Sequence, residues 1–243
     1  METEATARAR SHLSIRSLVE ITLGYALIVI TIWSPMPFRN YIGAAAGTWV
    51  SAALLLAGLS HEERGFGIRE FWRGKWAVVI ALLFAAVLVS ISAQVGTLHW
   101  REGHTGYHPP MVGYLVWSLV QQIILQLFLV RRLVLLLRNF WAAALVAAIM
   151  FSAAHLPNPL LTLATLLWGI VACWLFFRYK SLWVVALIHF MFGASLAISV
   201  PAPVHRNMRV GLGYLHYRAP ARAELPAAWN ELFPGQTHGA GSR

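Results

Sequence analysis

The chain has 243 residues, of which 58% are hydrophobic and 12% charged, with a mean hydropathy of +0.63. That balance excludes an ordinary soluble domain or a disordered chain and describes an integral membrane protein. The formal charge of +10 does not point to nucleic acid, because the Lys and Arg residues lie in short loops between apolar runs and form no basic patch interleaved with aromatics. All nine acidic residues are Glu, and none falls between Glu102 and Glu224. The single cysteine, Cys173, lies in an apolar run, so neither an intrachain disulfide nor a cysteine metal site is available. No cofactor is expected.

The apolar runs predict an all-α polytopic bundle of about seven spans, six at fewest and eight at most. Residues 1–16 are polar, with Arg8, Arg10 and Arg16, and precede a first span over 17–33. No A-x-A-like cleavage site follows it and Glu20 interrupts its start, so it reads as a retained helix with Glu20 near the inner interface. Pro35 and Pro37 end it. The second span, over 41–59, carries Gly43-Ala-Ala-Ala-Gly47, a GxxxG pattern that admits close helix approach and is read as internal packing.

Residues 61–76 form a polar stretch in which Glu62 and Glu63, the only paired carboxylates, are compensated by neighbouring arginines. A third span covers 76–95. The loop after it offers His99, Glu102, His104 and His108, but Gly103, Gly106 and Pro109-Pro110 make it irregular and no metal site is expected there. The remaining spans are 111–131, 141–155, 160–177 and 182–200, the fifth stopping before Pro157. The tail over 201–243 reads as a polar, loosely ordered surface segment, with a short interfacial helix available to AELPAAWNELF. This divides the chain into a cytoplasmic N-terminal segment (1–16), a three-span region (17–110), a core (111–200) and a polar tail (201–243).

Charge sets the orientation. Lys and Arg gather at the N-terminus and in the loops after spans two, four and six (Arg64, Arg69, Arg73, Lys75; Arg131, Arg132, Arg138; Arg178, Lys180), whereas the intervening loops hold only Arg39 and Arg101. The crowded side is expected to be cytoplasmic, placing the N-terminus there in a multi-pass cell-membrane protein. Only the arginines of the tail sit awkwardly with that rule.

The fourth span is chemically unusual, since Gln121, Gln122 and Gln126 occupy its middle. An unpaired polar group in hydrocarbon costs roughly 2 to 7 kcal/mol, so these amides must face partners inside the bundle. Gln122 and Gln126 are four residues apart on one face, with Gln121 about 100° round. At 1.5 Å per residue, the Gln121-Gln122 pair lies about 14 Å from Arg131 and His189 about 13 Å from Lys180, matching their depths. His155 lies nearer the opposite face. Two histidines and an amide cluster on three helices describe an enclosed cavity or an ion path.

The motif Gln121-Gln-Ile-Ile-Leu-Gln-Leu-Phe-Leu-Val-Arg-Arg-Leu133 resembles the E-E-x-x-F-R-G-x-L-x-R-x-L motif of the CPBP family, the CAAX protease and bacteriocin-processing (Abi) membrane proteins. Phe151 and His155 match its F-x-x-x-H, followed by Leu156-Pro157-Asn158, and His189 with Gly193 half matches its H-x-x-x-N. The resemblance covers 111–200 and implies a CAAX-protease-like helical bundle. It also implies an intramembrane glutamic-type endopeptidase in which a motif Glu, helped by a His, activates water while the later His and Asn support the oxyanion. A membrane-associated peptide or protein would be the substrate, with the lipid bilayer as the surrounding partner. Carried over, the catalytic roles fall on Gln121, Gln122, His155 and His189, and the supporting motif positions on Gln126, Phe151, Asn158 and Gly193.

Four of those positions change chemistry. A glutamine amide accepts no proton at neutral pH, so it can hold water but not act as the general base, a role worth roughly 10² to 10⁴ in rate. The loss is coordinated: removing both Glu charges and the Arg charge leaves no orphan ion. Gly193 deletes an oxyanion donor. These departures argue against peptide-bond hydrolysis and for a pseudoprotease, with two alternatives left open: a peptidase using His155 or His189 as base, and a His/Gln-lined ion or proton path.

Overall fold

The computed structural model describes residues 4–98 and 111–218. The histidine-bearing loop at 99–110 and the AELPAAWNELF segment therefore lie outside the described residues. Apolar side chains on successive turns drive long helices, and the order is α1 (Glu4–Trp33), α2 (Phe38–Leu56), the single turn α3 (His61–Arg64) and α4 (Ile68–Gln94). These are followed by α5 (Met111–Gln122), a π-helical segment (Ile123–Val130), α6 (Arg131–Leu137), α7 (Phe140–Ala153), α8 (Pro159–Tyr179) and α9 (Leu182–Ser199). Short turns close the described chain: α10 (Ala202–His205), a 3₁₀ turn (Arg206–Met208) and α11 (Gly211–Leu215).

Among the described residues five helical stretches are long and apolar enough to cross a membrane: His12–Trp33, Ile68–Gln94, Met111–Leu137, Pro159–Tyr179 and Leu182–Ser199. The 19-residue α2 and the 14-residue α7 pack beside them. The seven expected runs therefore each correspond to a helix of an all-α membrane bundle. Helix α4 starts earlier than its apolar run, because Ile68, Phe71 and Trp72 carry helical structure back through the Arg69–Lys75 stretch. Its basic residues Arg69, Arg73 and Lys75 thus lie exposed on the first two turns of the helix rather than in a loop.

Local chemistry fixes the helix ends. Asn139, Asn158 and Ser181 accept from the backbone N–H three residues on (3.0, 3.2 and 3.4 Å), capping α7, α8 and α9. Arg138 and Lys180 end α6 and α8 in the left-handed conformation (φ 54° and 53°). Small residues set the closest approaches. A Cβ at Gly169 would lie 3.0 Å from that of Ala148, joining α8 to α7, and one at Gly24 would strike the Phe128 ring, joining α1 to the π segment. In the GxxxG pattern, Gly43 faces Thr31 of α1, whereas a Cβ at Gly47 would meet nothing within 4 Å. Internal packing thus holds at the first glycine and fails at the second.

The core is centred on the π segment, whose Leu125, Phe128 and Leu129 are almost completely buried against Ala143, Ala147, Cys173, Val184 and Val185. Bonding from i to i+5 adds a residue to each turn, and the return to i to i+4 bonding at Arg131 leaves a carbonyl short of a backbone donor. Arg132 supplies one: its Nη1 donates to the carbonyls of Leu127 and Phe128, both at 3.2 Å, and its guanidinium lies 4.5 Å over the Phe128 ring. Its Nη2 donates to the Ala53 carbonyl of α2 at 2.9 Å and its Nε to Glu20 of α1 at 2.6 Å. Glu20 also accepts from Arg16 at 2.8 Å. The interfacial charge expected at Glu20 is thus a paired one, tying α1 and α2 to the π segment.

The first part of the tail is folded, not loose. The buried Asn158 side chain donates from Nδ2 to the carbonyls of His205 and Arg209 at 2.9 and 3.0 Å, and Gly211 N–H donates to the Leu156 carbonyl at 2.8 Å. Arg206 and Arg209 lie over the Tyr214 and Tyr217 rings at 4.1 and 5.7 Å. Composition alone made this segment look like a surface coil, because its anchor, Asn158, lies about fifty residues earlier.

Candidate functional site

A cavity of about 880 Å³ lies among α1, α2, α5, α7, α8 and α9, within the range of small-molecule sites. Its walls are mostly apolar, and Tyr114, Gln121, His155, His189 and Gly193 all line it. Among the described residues no glutamate lines it.

The helices bring most of the singled-out residues together. Gln122 is fully buried at the end of α5, its Nε2 lying 3.2 Å from His189 Nδ1 of α9, and its Oε1 accepts from Gln126 Nε2 at 3.2 Å. The depth match between Gln122 and His189 is therefore a contact. In this chain Gln126 donates to Gln122 and Gln122 donates to His189, so Nδ1 of His189 is the acceptor nitrogen and its Nε2 carries the proton. That pairing leaves Nε2 as the donor nitrogen of His189. Gln126 Oε1 has no hydrogen-bond partner, and the Cys173 thiol is the polar group beside this amide.

His155 has the opposite arrangement. Its Nδ1 donates to the Phe151 carbonyl at 2.8 Å, leaving Nε2 as the unprotonated nitrogen of a neutral ring. Phe151 stands between the two histidines, with ring centroids 5.0 Å from His155 and 6.0 Å from His189, edge-on to both. Trp168 covers the other side of His189 at 5.7 Å and continues the aromatic wall to Phe192. The two imidazoles thus serve one cavity without touching, held by the turn that follows α7 and by the middle of α9.

Gln121 lines the cavity but makes no hydrogen bond among the described residues, being turned away from its neighbour by the helical step. Asn158 does not line the cavity: it caps α8 and pins the folded tail. At Gly193 a Cβ would fall onto the hydroxyl of Tyr114, so the space of a side chain at that position is already taken by a phenol from α5. Tyr114 packs against Phe190 at 5.8 Å, which holds it there. Sequence reasoning missed Tyr114 and Trp168, since an aromatic in an apolar run reads as core. The available signal was spacing: Tyr114, Trp117 and Gln121 fall at i, i+3 and i+7 on one face of α5.

The site can bind and orient. It offers two imidazoles of opposite polarity, an amide and a phenol, on mostly apolar walls. No curated protein and no solved structure matches the chain. The family model for type II CAAX prenyl endopeptidase Rce1-like proteins matches residues 108–195, the stretch that supplies Tyr114, the three glutamines, both histidines and Gly193. That match, with the motifs it encloses, makes residues 108–195 of this membrane protein similar to the type II CAAX prenyl endopeptidase Rce1-like proteins, in agreement with the CPBP resemblance.

Proposed function

We propose that this protein is a non-hydrolytic member of that family, a pseudoprotease that keeps the intramembrane cavity as a binding site. The observation that carries this reading is the closed chain Gln126–Gln122–His189. Two amides and an imidazole pair one another in the position where the family motif implies ionised Glu and Arg, and neither amide can take a proton from water at neutral pH. The N-terminus is assigned to the cytoplasmic side of the cell membrane on the Lys and Arg bias of the loops.

A second reading is favoured by one feature. His155 Nε2 is unprotonated and its ring lines the cavity, so a peptidase using His155 as base has a group to start from. Among the described residues no carboxylate lines the cavity to stabilise the imidazolium that proton transfer would create.

The test is reconstitution of the wild type in lipid vesicles with a set of lipidated and unlipidated peptides, read by mass spectrometry for any shortened product. The reading expects none. A variant carrying Gln121→Glu, Gln122→Glu, Gln126→Arg and Gly193→Asn is the positive arm, and it must also carry Tyr114→Ala to clear the space at residue 193. Cleavage by the wild type contradicts the reading.

A further inference from the structure

Gln121 and the two histidines line one region of the cavity, and the wall formed by α2 has features that they do not use. Arg39 and Asn40, at the start of α2, line the cavity at the end where α1 and α7 also finish. Among the described residues Arg39 is the only Lys, Arg or Glu lining it. Several cations elsewhere are compensated: Arg16 and Arg132 pair with Glu20, Arg131 pairs with Glu63, and Lys180 and Arg206 lie over aromatic rings. Among the described residues the Arg39 guanidinium makes no ion pair, side-chain hydrogen bond or ring contact.

From Arg39 the wall runs along one face of α2 through Gly43, Ala46, Gly47, Val50 and Leu54. The fifteen residues from Arg39 to Leu54 rise about 22 Å at 1.5 Å each. That exceeds the roughly 15 Å of one leaflet's hydrocarbon. The small side chains open the volume, most clearly at Gly47, where a Cβ would meet nothing. A long apolar chain fits such a wall. An extended peptide does not, because each of its peptide units brings an N–H and a C=O that need partners out of water, and this face of α2 offers only Ser51.

We propose that the cavity holds an anionic lipid, its charged headgroup at Arg39 and Asn40 and its chain along the Gly43–Leu54 face of α2. The proposal rests on the reading of the cavity as a binding rather than a hydrolytic site. The anion answers the unpaired charge at the cavity wall, the chain answers the apolar face, and no carboxylate among the described lining residues opposes it.

The experiment uses the full chain in a neutral detergent, titrated with phosphatidylglycerol and with phosphatidylcholine of identical acyl chains, with retained lipid read by mass spectrometry of the intact complex. Phosphatidylglycerol is expected to bind about tenfold or more tightly than phosphatidylcholine, as one charge-assisted contact implies. Arg39→Gln should abolish that preference, whereas Lys75→Gln, an exposed cation of α4 outside the cavity, should keep it. Gly47→Leu should weaken retention of both lipids with the thermal transition unchanged. Equal binding of the two lipids, a preference that survives Arg39→Gln, or retention of a farnesylated peptide in place of phosphatidylglycerol would each overturn the proposal. Failure of the non-hydrolytic reading registers separately in the same spectra, as a shortened farnesylated peptide.

Discussion

At the residue scale the decisive group is Gln122, because its amide sets the protonation pattern of the site. A carboxylate there would accept from both neighbours and leave His189 to carry its proton on Nδ1. The amide donates instead, which fixes the proton on Nε2. Gln122→Ala should leave His189 and Gln126 without partners in the core, a loss of about 2 to 4 kcal/mol read as a lowered thermal transition in detergent. Replacing both ends of the contact, Gln122→Leu with His189→Leu, should recover most of it; no recovery would mean that packing rather than hydrogen bonding holds the site. Gly193→Asn should destabilise by collision with Tyr114, and Tyr114→Ala should relieve it. The partnership of Gln122 and His189 was legible in the sequence, since matched depth on two apolar runs leaves few alternatives. The roles of Tyr114 and Phe151 were not, because their orientation depends on how α5, α7 and α9 cross.

At the scale of elements, the motif helix is neither a simple α-helix nor an independent one. The apolar runs and their Asn, Ser and Pro boundaries made the helices readable, but nothing in Ile123–Val130 announces π bonding. That register depends on Arg132 reaching Leu127, Phe128, Ala53 and Glu20 at once. Arg132→Met should therefore cost about 3 to 5 kcal/mol, as expected when one partner of a buried ion pair is removed. The measurement is again thermal unfolding, and Glu20→Gln in the same chain should restore part of the loss. The α3 turn is tied to α6 differently. Ser60 and Glu63 cap each other through Ser60 N–H to Oε2 at 2.9 Å, and Arg131 donates to Glu63 Oε1 at 2.7 Å. These contacts, the Ser60 backbone N–H first, hold the Glu63 carboxyl down at about 2 from an ordinary value of 4.5. A depressed carboxyl contributes stability that is complete above 4.5 and is lost as pH falls through 2. The wild type should accordingly lose thermal stability more steeply over that interval than Glu63→Gln, the step being small because the group is exposed.

For the whole molecule, the bundle encloses a cavity walled on one side by the family-matched helices and on the other by α1 and α2, and it is closed at one end by the folded tail. Met208 and Val210 line the cavity from that tail, so the Asn158 anchor bears on the shape of the site although it does not enter it. Asn158→Asp keeps the oxygen that caps α8 but loses both donors to the tail. It should accelerate tryptic cleavage after Arg206 and Arg209 as strongly as Asn158→Ala does, and protection equal to wild type would show that the tail is held by its aromatic contacts instead. The part played by α2 was beyond the sequence, because a GxxxG pattern is equally consistent with a packed helix and with an open wall. The central claim is that protease architecture persists here without proteolysis. It is tested most directly by comparing the membrane peptides of cells expressing wild type, His155→Ala and His189→Ala, read by mass spectrometry for chain ends. The account predicts the same set of ends in all three; an end present with wild type and lost in His155→Ala would contradict it.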